Sequence, residues 1–326
     1  MIAVALLAMA LGAAEPAQPD TPPVAAQAAE AAEAQAHQWL QRLSEQLANS
    51  NYVLSLVKVQ NGRVQPFRYE HGRVDDQELE HLVFLNGPPR EIVRKGQVVT
   101  LLDLEHPPYS YQSDSIRGPI PEAFLQSPSQ LAEHYRFVLA GRSRIAGRAA
   151  QLVRVVPKDD HRHGYLVWID RDSGLLLRSD RLNLQGEVVE QLMVVAMEAM
   201  EEASGNMNAI AQANFPAPSS NTGNLPLQQL GEVTWLPPGF IGVVGNHHRL
   251  PHLGEAVDYL LYSDGLADIA IYINPAAPNQ ELRMMQQGLY NLVGINHGGI
   301  EVMVVGTVPA ETLERVANQV RLNTRP

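Results

Sequence analysis

The sequence predicts a mainly β protein of the α+β class, one large antiparallel meander curved toward a barrel, followed by a small antiparallel sheet with a C-terminal helix. Three observations carry this. From Tyr52 to about Met200, apolar runs of strand length recur at short spacing, with turn residues between them and no helical crossover. One run, Tyr165 to Ile169, is apolar on both faces, so something covers both sides of that strand. A stretch rich in Asn, Ser, Gly, Pro and Gln, residues 203–230, then separates a second and shorter β-rich region. At 326 residues, two domains are the default expectation.

The chain opens with an apolar run, Ile2 to Ala14, that ends in Gly12-Ala13-Ala14. It is too short to span a bilayer and reads as a secretory signal peptide over 1–14. No Lys or Arg precedes it, which leaves the true N-terminus open. Residues 15–36 are rich in Ala, Pro, Gln and Glu without spaced large apolar residues, so a flexible tether is expected. Trp39, Leu40, Leu43 and Leu47 then form one stripe at helical spacing, ending at Asn49-Ser50-Asn51. That helix opens a large domain over 37–202, and its stripe needs the following sheet to cover it.

The strands follow in order. Tyr52, Leu54 and Leu56 alternate before the hairpin signal Asn61-Gly62. Val64 to Tyr69 contains Pro66, which marks an edge or distorted strand. Leu79 to Leu85 ends at Asn86-Gly-Pro-Pro89, and Glu91 to Leu102 breaks at Lys95-Gly96. Pro107 to Glu133 interrupts the pattern, with Pro107-Pro-Tyr-Ser-Tyr111 and a short helix from Ser127; a lid and a plain cap are both open readings. Tyr135 to Leu139, Leu152 to Val156, the hairpin 163–180 with its turn at Asp170 to Gly174, and Val188 to Val195 complete the meander. In the hairpin, Leu166, Trp168 and Leu176 are assigned to one face and Tyr165, Val167 and Ile169 to the other. One set is expected to line an apolar site and the other to pack on the helix.

After the 203–230 linker, the region 231–326 holds Ala256 to Tyr262, the turn Ser263-Asp-Gly265, Leu266 to Ile273, and the pair Leu289 to Val293 and Ile300 to Val305. A helix with Pro309 in its first turn carries Leu313, Val316 and Val320 as its apolar stripe.

Net charge is −11, with −4 on 231–326 and −7 on the remainder, which argues against nucleic acid and anionic membrane surfaces as partners. The absence of cysteine excludes disulfides, thiolate metal sites and cysteine nucleophiles. Histidines gather at His161-Arg-His163 and at His247, His248 and His252, but no His-Glu-x-x-His pattern puts two ligands on one helix face. Ser263 lacks a Gly-x-Ser-x-Gly elbow, and Asp159, Asp160, Asp170 and Asp172 occupy ordinary turn positions. The chain therefore reads as a binding protein, with no enzyme activity, metal or cofactor expected.

Several segments resemble the RseB/MucB family of periplasmic regulators of the sigma-E envelope-stress response. They are Arg90-Glu-Ile-Val-Arg-Lys-Gly96, Ala146-Gly-Arg148, Val155-Val-Pro157, Gly164-Tyr-Leu-Val-Trp-Ile-Asp170 and Ser173-Gly-Leu175. In the second region they are Leu236-Pro-Pro-Gly-Phe240, Tyr262-Ser-Asp-Gly-Leu266 and the run from Val304 to Pro309. The resemblance spans about residues 37–322. It implies a LolA/LolB-like half-barrel that senses lipid, and a small domain. It further implies a periplasmic location and a partner, the periplasmic domain of a single-span anti-sigma factor of the RseA/MucA type. That partner is shielded from a site-1 protease until lipid or lipopolysaccharide releases it.

Residues Leu166, Trp168, Leu176, Tyr109, Tyr111 and Phe124 are the candidate lipid pocket, and Tyr262, Asp264 and Leu266 the candidate anti-sigma-factor contact. A LolA-type carrier of lipoprotein or lipid is the alternative, against which the second region counts; a metal-dependent hydrolase built on the histidines is a third reading. The oligomeric state, homo-oligomer included, and the identity of the lipid stay open.

Overall fold

A computed structural model describes residues 24–116, 118–218, 231–249, 256–275, 284–287, 290–297 and 300–322. The signal segment 1–14 lies outside them, as do His252 and the linker residues 219–230.

The first helix, α1 (Val24–Asn49), begins within the expected tether. The correction has a simple cause. Residues 24–36 are mostly Ala with Gln and Glu, the best intrinsic helix formers, and they extend a helix nucleated by its packed C-terminal half. Ala36, Leu40, Leu43 and Leu47 are buried in the main core, with Trp39 packed against it.

Eleven strands follow: β1 (Asn51–Gln60), β2 (Arg63–Val74), β3 (Gln77–Phe84), β4 (Arg90–Lys95), β5 (Val98–Asp103), β6 (Tyr109–Gln112), β7 (Tyr135–Ile145), β8 (Arg148–Pro157), β9 (Gly164–Asp170), β10 (Leu176–Leu182) and β11 (Val188–Met200). They form one antiparallel sheet in the order β6-β5-β4-β3-β2-β1-β11-β10-β9-β8-β7. The two edges, β6 and β7, are consecutive in the chain yet unpaired, so the barrel is half open. Residues 113–134 bridge the opening. Within them Ile116, Ile120, Ala123, Phe124 and Leu131 are buried in the same core as α1, so the interruption caps the barrel. Short 3-10 turns stand at Glu122–Phe124 and Leu131–Glu133, the latter where a helix from Ser127 was expected. Tyr109–Gln112, expected as loop, is a strand paired to β5.

Strand β2 is interior, which corrects the edge reading of Pro66. Its ladder with β3 starts only at Phe67, so the N–H that proline lacks falls beyond that ladder's end.

The hairpin β9–β10 is closed against α1. Arg42 donates from its guanidinium to the carbonyls of Arg171 (3.2 Å) and Asp172 (2.6 Å). Gly174 has φ +80°, and a Cβ there would lie 2.9 Å from Arg42 and Gln46 atoms, so the turn requires glycine twice over. Tyr165, Val167 and Ile169 are the set that packs with α1, whereas Leu166 and Trp168 belong to a separate outer cluster with Ala150, Leu152, Ile145, Leu177 and Met197. Leu176 does not share their face. It pairs with Ile169 and joins the α1 core, because the register slips between Leu176 and Arg178 and gives Leu177 the outer position.

The segment 203–218 is ordered on the sheet where a linker was expected. Ser204 caps α2 (Gly205–Gln212) by accepting from the Met207 N–H at 3.1 Å. Met207 and Ile210 pack with Leu79 and Val93. Lys95 closes the other end, donating to the carbonyls of Ala211 (2.5 Å) and Ala213 (3.2 Å).

The small domain is a six-stranded antiparallel sheet, ordered β13-β14-β15-β18-β17-β16, with a two-stranded ribbon of β12 and β19. Its strands are β12 (Gly231–Val233), β13 (Ile241–Arg249), β14 (Ala256–Ser263), β15 (Asp268–Pro275), β16 (Met284–Gln287), β17 (Tyr290–His297), β18 (Ile300–Gly306) and β19 (Val320–Leu322). Helix α3 (Ala310–Ala317) buries Leu313 and Val316 on it. Val320, expected on the helix, belongs to β19.

Among the described residues no helix is long and apolar enough to cross a membrane, and no group of His, Asp and Glu could hold a metal ion.

Candidate functional site

The turn between β14 and β15 joins the two domains. Its sequence makes it rigid. Asp264 Oδ1 accepts from the N–H groups of Leu266 (2.9 Å) and Ala267 (2.8 Å), and Ser263 Oγ accepts from the Gly265 N–H (3.0 Å). Gly265 sits at φ +86°, and a Cβ there would stand 3.0 Å from the Ala123 Cβ. The close approach lets the Gly265 carbonyl accept from the Ala123 N–H of the barrel cap at 3.0 Å.

With Oδ1 spent on the turn, Asp264 Oδ2 faces the large domain. There it accepts from the Tyr135 hydroxyl (2.8 Å) and from Arg162 Nη1 (2.8 Å). Arg162 is completely buried. Its Nε and Nη2 are held by Asp159 at 3.0 and 2.9 Å, Nη2 also donates to the Pro238 carbonyl (2.5 Å), and the guanidinium lies 5.4 Å from the ring centres of both Tyr135 and Phe240. Burial works against this cation, but Asp159, Tyr135 and Asp264 hold its pKa above the ordinary arginine value. Burial, aided by Asp264, drives the Tyr135 hydroxyl well above its ordinary pKa, so it stays a donor. Next to this network Leu266 inserts into the large domain's core, and its carbonyl accepts from the Tyr165 hydroxyl at 2.7 Å. A third contact puts the His161 ring edge-on to Trp235, with centroids 5.2 Å apart.

Two concavities flank this turn. On one side a groove of about 320 Å3 runs between the barrel cap (Gln126, Gln130, Leu131) and the start of β13, with Tyr135 and Asp264 among its lining residues. Ile241 and Val243 line it and are 68% and 39% exposed, large apolar side chains left open to solvent in a concave site. On the other side lies a cavity of about 140 Å3 bounded by Lys58, Arg181, Glu190, Tyr290 and Thr307.

The residues expected to form one lipid pocket divide. Leu176 and Phe124 belong to the interior core, with Tyr111 half-buried against it, and Phe124 meets the Tyr165 ring edge-on at 5.9 Å. Tyr109 is exposed at the edge strand and stacks on Tyr111 at 6.2 Å. Leu166 and Trp168 lie on the outer face, with the Arg178 guanidinium 4.6 Å from the Trp168 ring centre. The residues expected to contact the anti-sigma factor do gather, at the domain junction. Asp264 and Leu266 are engaged with the large domain, and Tyr262 is buried in the small domain's core.

Arg162, Tyr135 and the Tyr165 hydroxyl are the junction residues that sequence reading did not single out. The Asp159-x-x-Arg162 spacing beside a histidine pair was the available signal.

A family model described as the MucB/RseB N-terminal domain matches residues 35–218, and one described as the MucB/RseB C-terminal domain matches 228–321. The chain is similar to the sigma-E factor regulatory protein RseB of Escherichia coli K12, at 31% identity over 86% of this chain and 89% of that protein. It is similar also to the sigma factor AlgU regulatory protein MucB of Pseudomonas aeruginosa, at 32% identity over 88% and 90%. Among solved structures it resembles the Pseudomonas aeruginosa MucA/MucB complex, with a TM-score of 0.70 and 28% identity over 89% of this chain and 100% of that one. A structure of MucB without a named partner gives a TM-score of 0.64.

Proposed function

The chain belongs to the MucB/RseB family, and from that premise we propose that it is a periplasmic regulator that binds the periplasmic domain of a sigma-E-type anti-sigma factor of the RseA/MucA kind. In this reading it shields that domain from site-1 proteolysis and lets go when lipid or lipopolysaccharide binds. The observation that carries the reading is the junction. Two domains are fastened around a buried turn, and a groove with exposed Ile241 and Val243 opens directly beside it. A site shared by two domains is sensitive to their relative placement, as a releasable complex requires.

Tyr262, Asp264 and Leu266 then serve partner binding by setting the groove's geometry. The lipid's apolar chain is taken up on the concave face at Tyr109, Tyr111, Phe124 and Leu176, with Leu166 and Trp168 packing on the outer face of β9, the strand next to Leu176. Uptake among core residues shared with Leu266 gives lipid a route to the junction. Release follows only if lipid binds the partner-free arrangement more tightly than the partner-bound one.

The purified protein titrated with the partner's periplasmic domain is expected to give a one-to-one complex, weakened by lipopolysaccharide. Binding that lipopolysaccharide leaves unchanged would overturn the lipid half of the proposal.

A further inference from the structure

Among the described residues, six of the ten large apolar side chains that stand exposed lie at one end of the barrel sheet. Four hairpins that are neighbours in the sheet turn there: β5–β6, β3–β4, β1–β2 and β10–β11. Each carries such a side chain at or beside its turn. They are Leu104 (78% exposed) and Tyr109, then Leu85 (55%), then Val64 (56%), then Leu184 and Val188. The fifth hairpin at this end, β8–β9, has none, and its loop is the one the small domain covers through His161 and Arg162. At the opposite end the turns present Asp75, Asp76, Gly96, Gly147 and Asp172, and no large apolar side chain is exposed among the described residues there. Single exposed apolar residues are ordinary, but six gathered on adjacent turns mark an interaction surface.

The turns are built to lose water. Asp103 Oδ1 accepts from the N–H groups of Glu105 (2.8 Å) and His106 (2.7 Å). Asn183 Oδ1 accepts from those of Gln185 (3.0 Å) and Glu187 (2.8 Å), and Asn86 Oδ1 from that of Gly87 (3.1 Å). The same loops hold Pro88-Pro89 and Pro107-Pro108, which have no N–H to satisfy. Backbone donors that would otherwise need water are answered within the turns, as entry into a water-poor medium demands.

Shape and charge say which medium. The tips span eight neighbouring strands, roughly 34 Å at ~4.8 Å per strand. Polar turn residues separate them, so they form a row of points and not the continuous apolar core of a protein–protein interface. A bilayer interface takes such points one by one, with the polar residues between them at headgroup level. Arg63 and Arg90 stand against Asp103, Glu105 and Glu187, so the rim has no net pull toward anionic lipid.

We propose that this rim is a membrane-docking edge that sets its apolar tips shallowly into a zwitterionic bilayer. Tyr109 belongs both to the rim and to the face assigned to lipid uptake, where it stacks on Tyr111. Docking at this end brings the half-open edge to the lipid it takes up, a link that rests on the uptake reading above.

Flotation of the purified protein with phosphatidylcholine vesicles tests the edge. Co-flotation that is the same at low and high salt is expected. The triple variant Leu85→Gln, Leu104→Gln, Leu184→Gln, altered only at exposed turn positions, should lose roughly tenfold or more in vesicle partitioning. Val195→Gln, exposed on β11 away from the rim, should partition as the wild type does. Absence of wild-type flotation, a triple variant that floats like the wild type, or an equal loss in Val195→Gln overturns the edge. So does binding confined to phosphatidylglycerol-containing vesicles and abolished by salt. Self-association that the triple variant abolishes, with no vesicle binding, also overturns it and makes the row a contact between copies. Uptake is separated by titration with short-chain phosphatidylcholine below its micelle concentration. A triple variant that binds this monomeric lipid normally yet no longer floats supports the edge. A wild type that floats but does not bind it overturns the uptake reading and leaves the edge standing.

Discussion

Replacing Asp264 by Ala removes the acceptor on which the junction converges. Arg162 and Asp264 are buried to 0% and 2% side-chain exposure, and breaking such a pair costs about 3–5 kcal/mol because a buried charge is left behind. Arg162 keeps Asp159 and the Pro238 carbonyl, which places the loss near the lower end, about 3 kcal/mol. The two turn N–H groups released from Oδ1 and the orphaned Tyr135 hydroxyl add about 1 kcal/mol or somewhat more. At roughly 2–4 °C per kcal/mol for a protein of this size, the main calorimetric transition falls by about 8–16 °C. The cycle with Arg162→Met isolates the pair, and a coupling of about 2–3 kcal/mol is expected. A shift of about 1 °C, or additive single variants, would refute the claim that this pair fastens the domains.

His163 is buried, and burial, with Arg181 beside it, lowers its pKa from 6.5 to about 4. The unfolded chain therefore takes up the proton near pH 6.5 and the folded chain only near pH 4, so its contribution, about 3 kcal/mol, is full above pH 6.5 and is lost as pH falls toward 4. Urea titrations at a series of pH values should show this slope vanish in His163→Gln. Glu78 does not overlap it above pH 4.5: burial opposes its charge, but hydrogen bonds from His71 and Arg94 bring its pKa from 4.5 to about 2, so its contribution is lost as pH falls from 4.5 toward 2. Gly265→Ala strains a backbone at φ +86° and presses on Ala123, costing about 1–3 kcal/mol in thermal unfolding, whereas Gly62→Ala, with open space around it, should cost less. Trp168→Ala should cost about 3–5 kcal/mol through its outer cluster. Its lipid response should persist, since the proposed uptake is on the other face; loss of response at retained fold would place the lipid outside.

Most strands were legible because period-two alternation and Asn-Gly or Lys-Gly turns are local signals, as at Asn61-Gly62 and Lys95-Gly96. Leu176 was assigned to the wrong face because a register slip one residue later has no signature in Leu175-Leu-Leu177. Tyr109–Gln112 is short, follows two prolines, and is a strand only because β5 pairs with it. The junction was half legible. Tyr262-Ser-Asp-Gly-Leu266 stood out as a motif, but its role depends on Arg162 and Tyr135, distant in sequence and ordinary in composition. The α2 helix was hidden in a polar stretch where Met207 and Ile210 are the apolar anchors.

The most direct measurement incubates the periplasmic domain of the anti-sigma factor with the site-1 protease, with and without this protein, and follows cleavage. Slow cleavage in its presence, restored by lipopolysaccharide and restored without it by Asp264→Ala, is expected. Cleavage at the same rate whether or not the protein is present would contradict the proposed function.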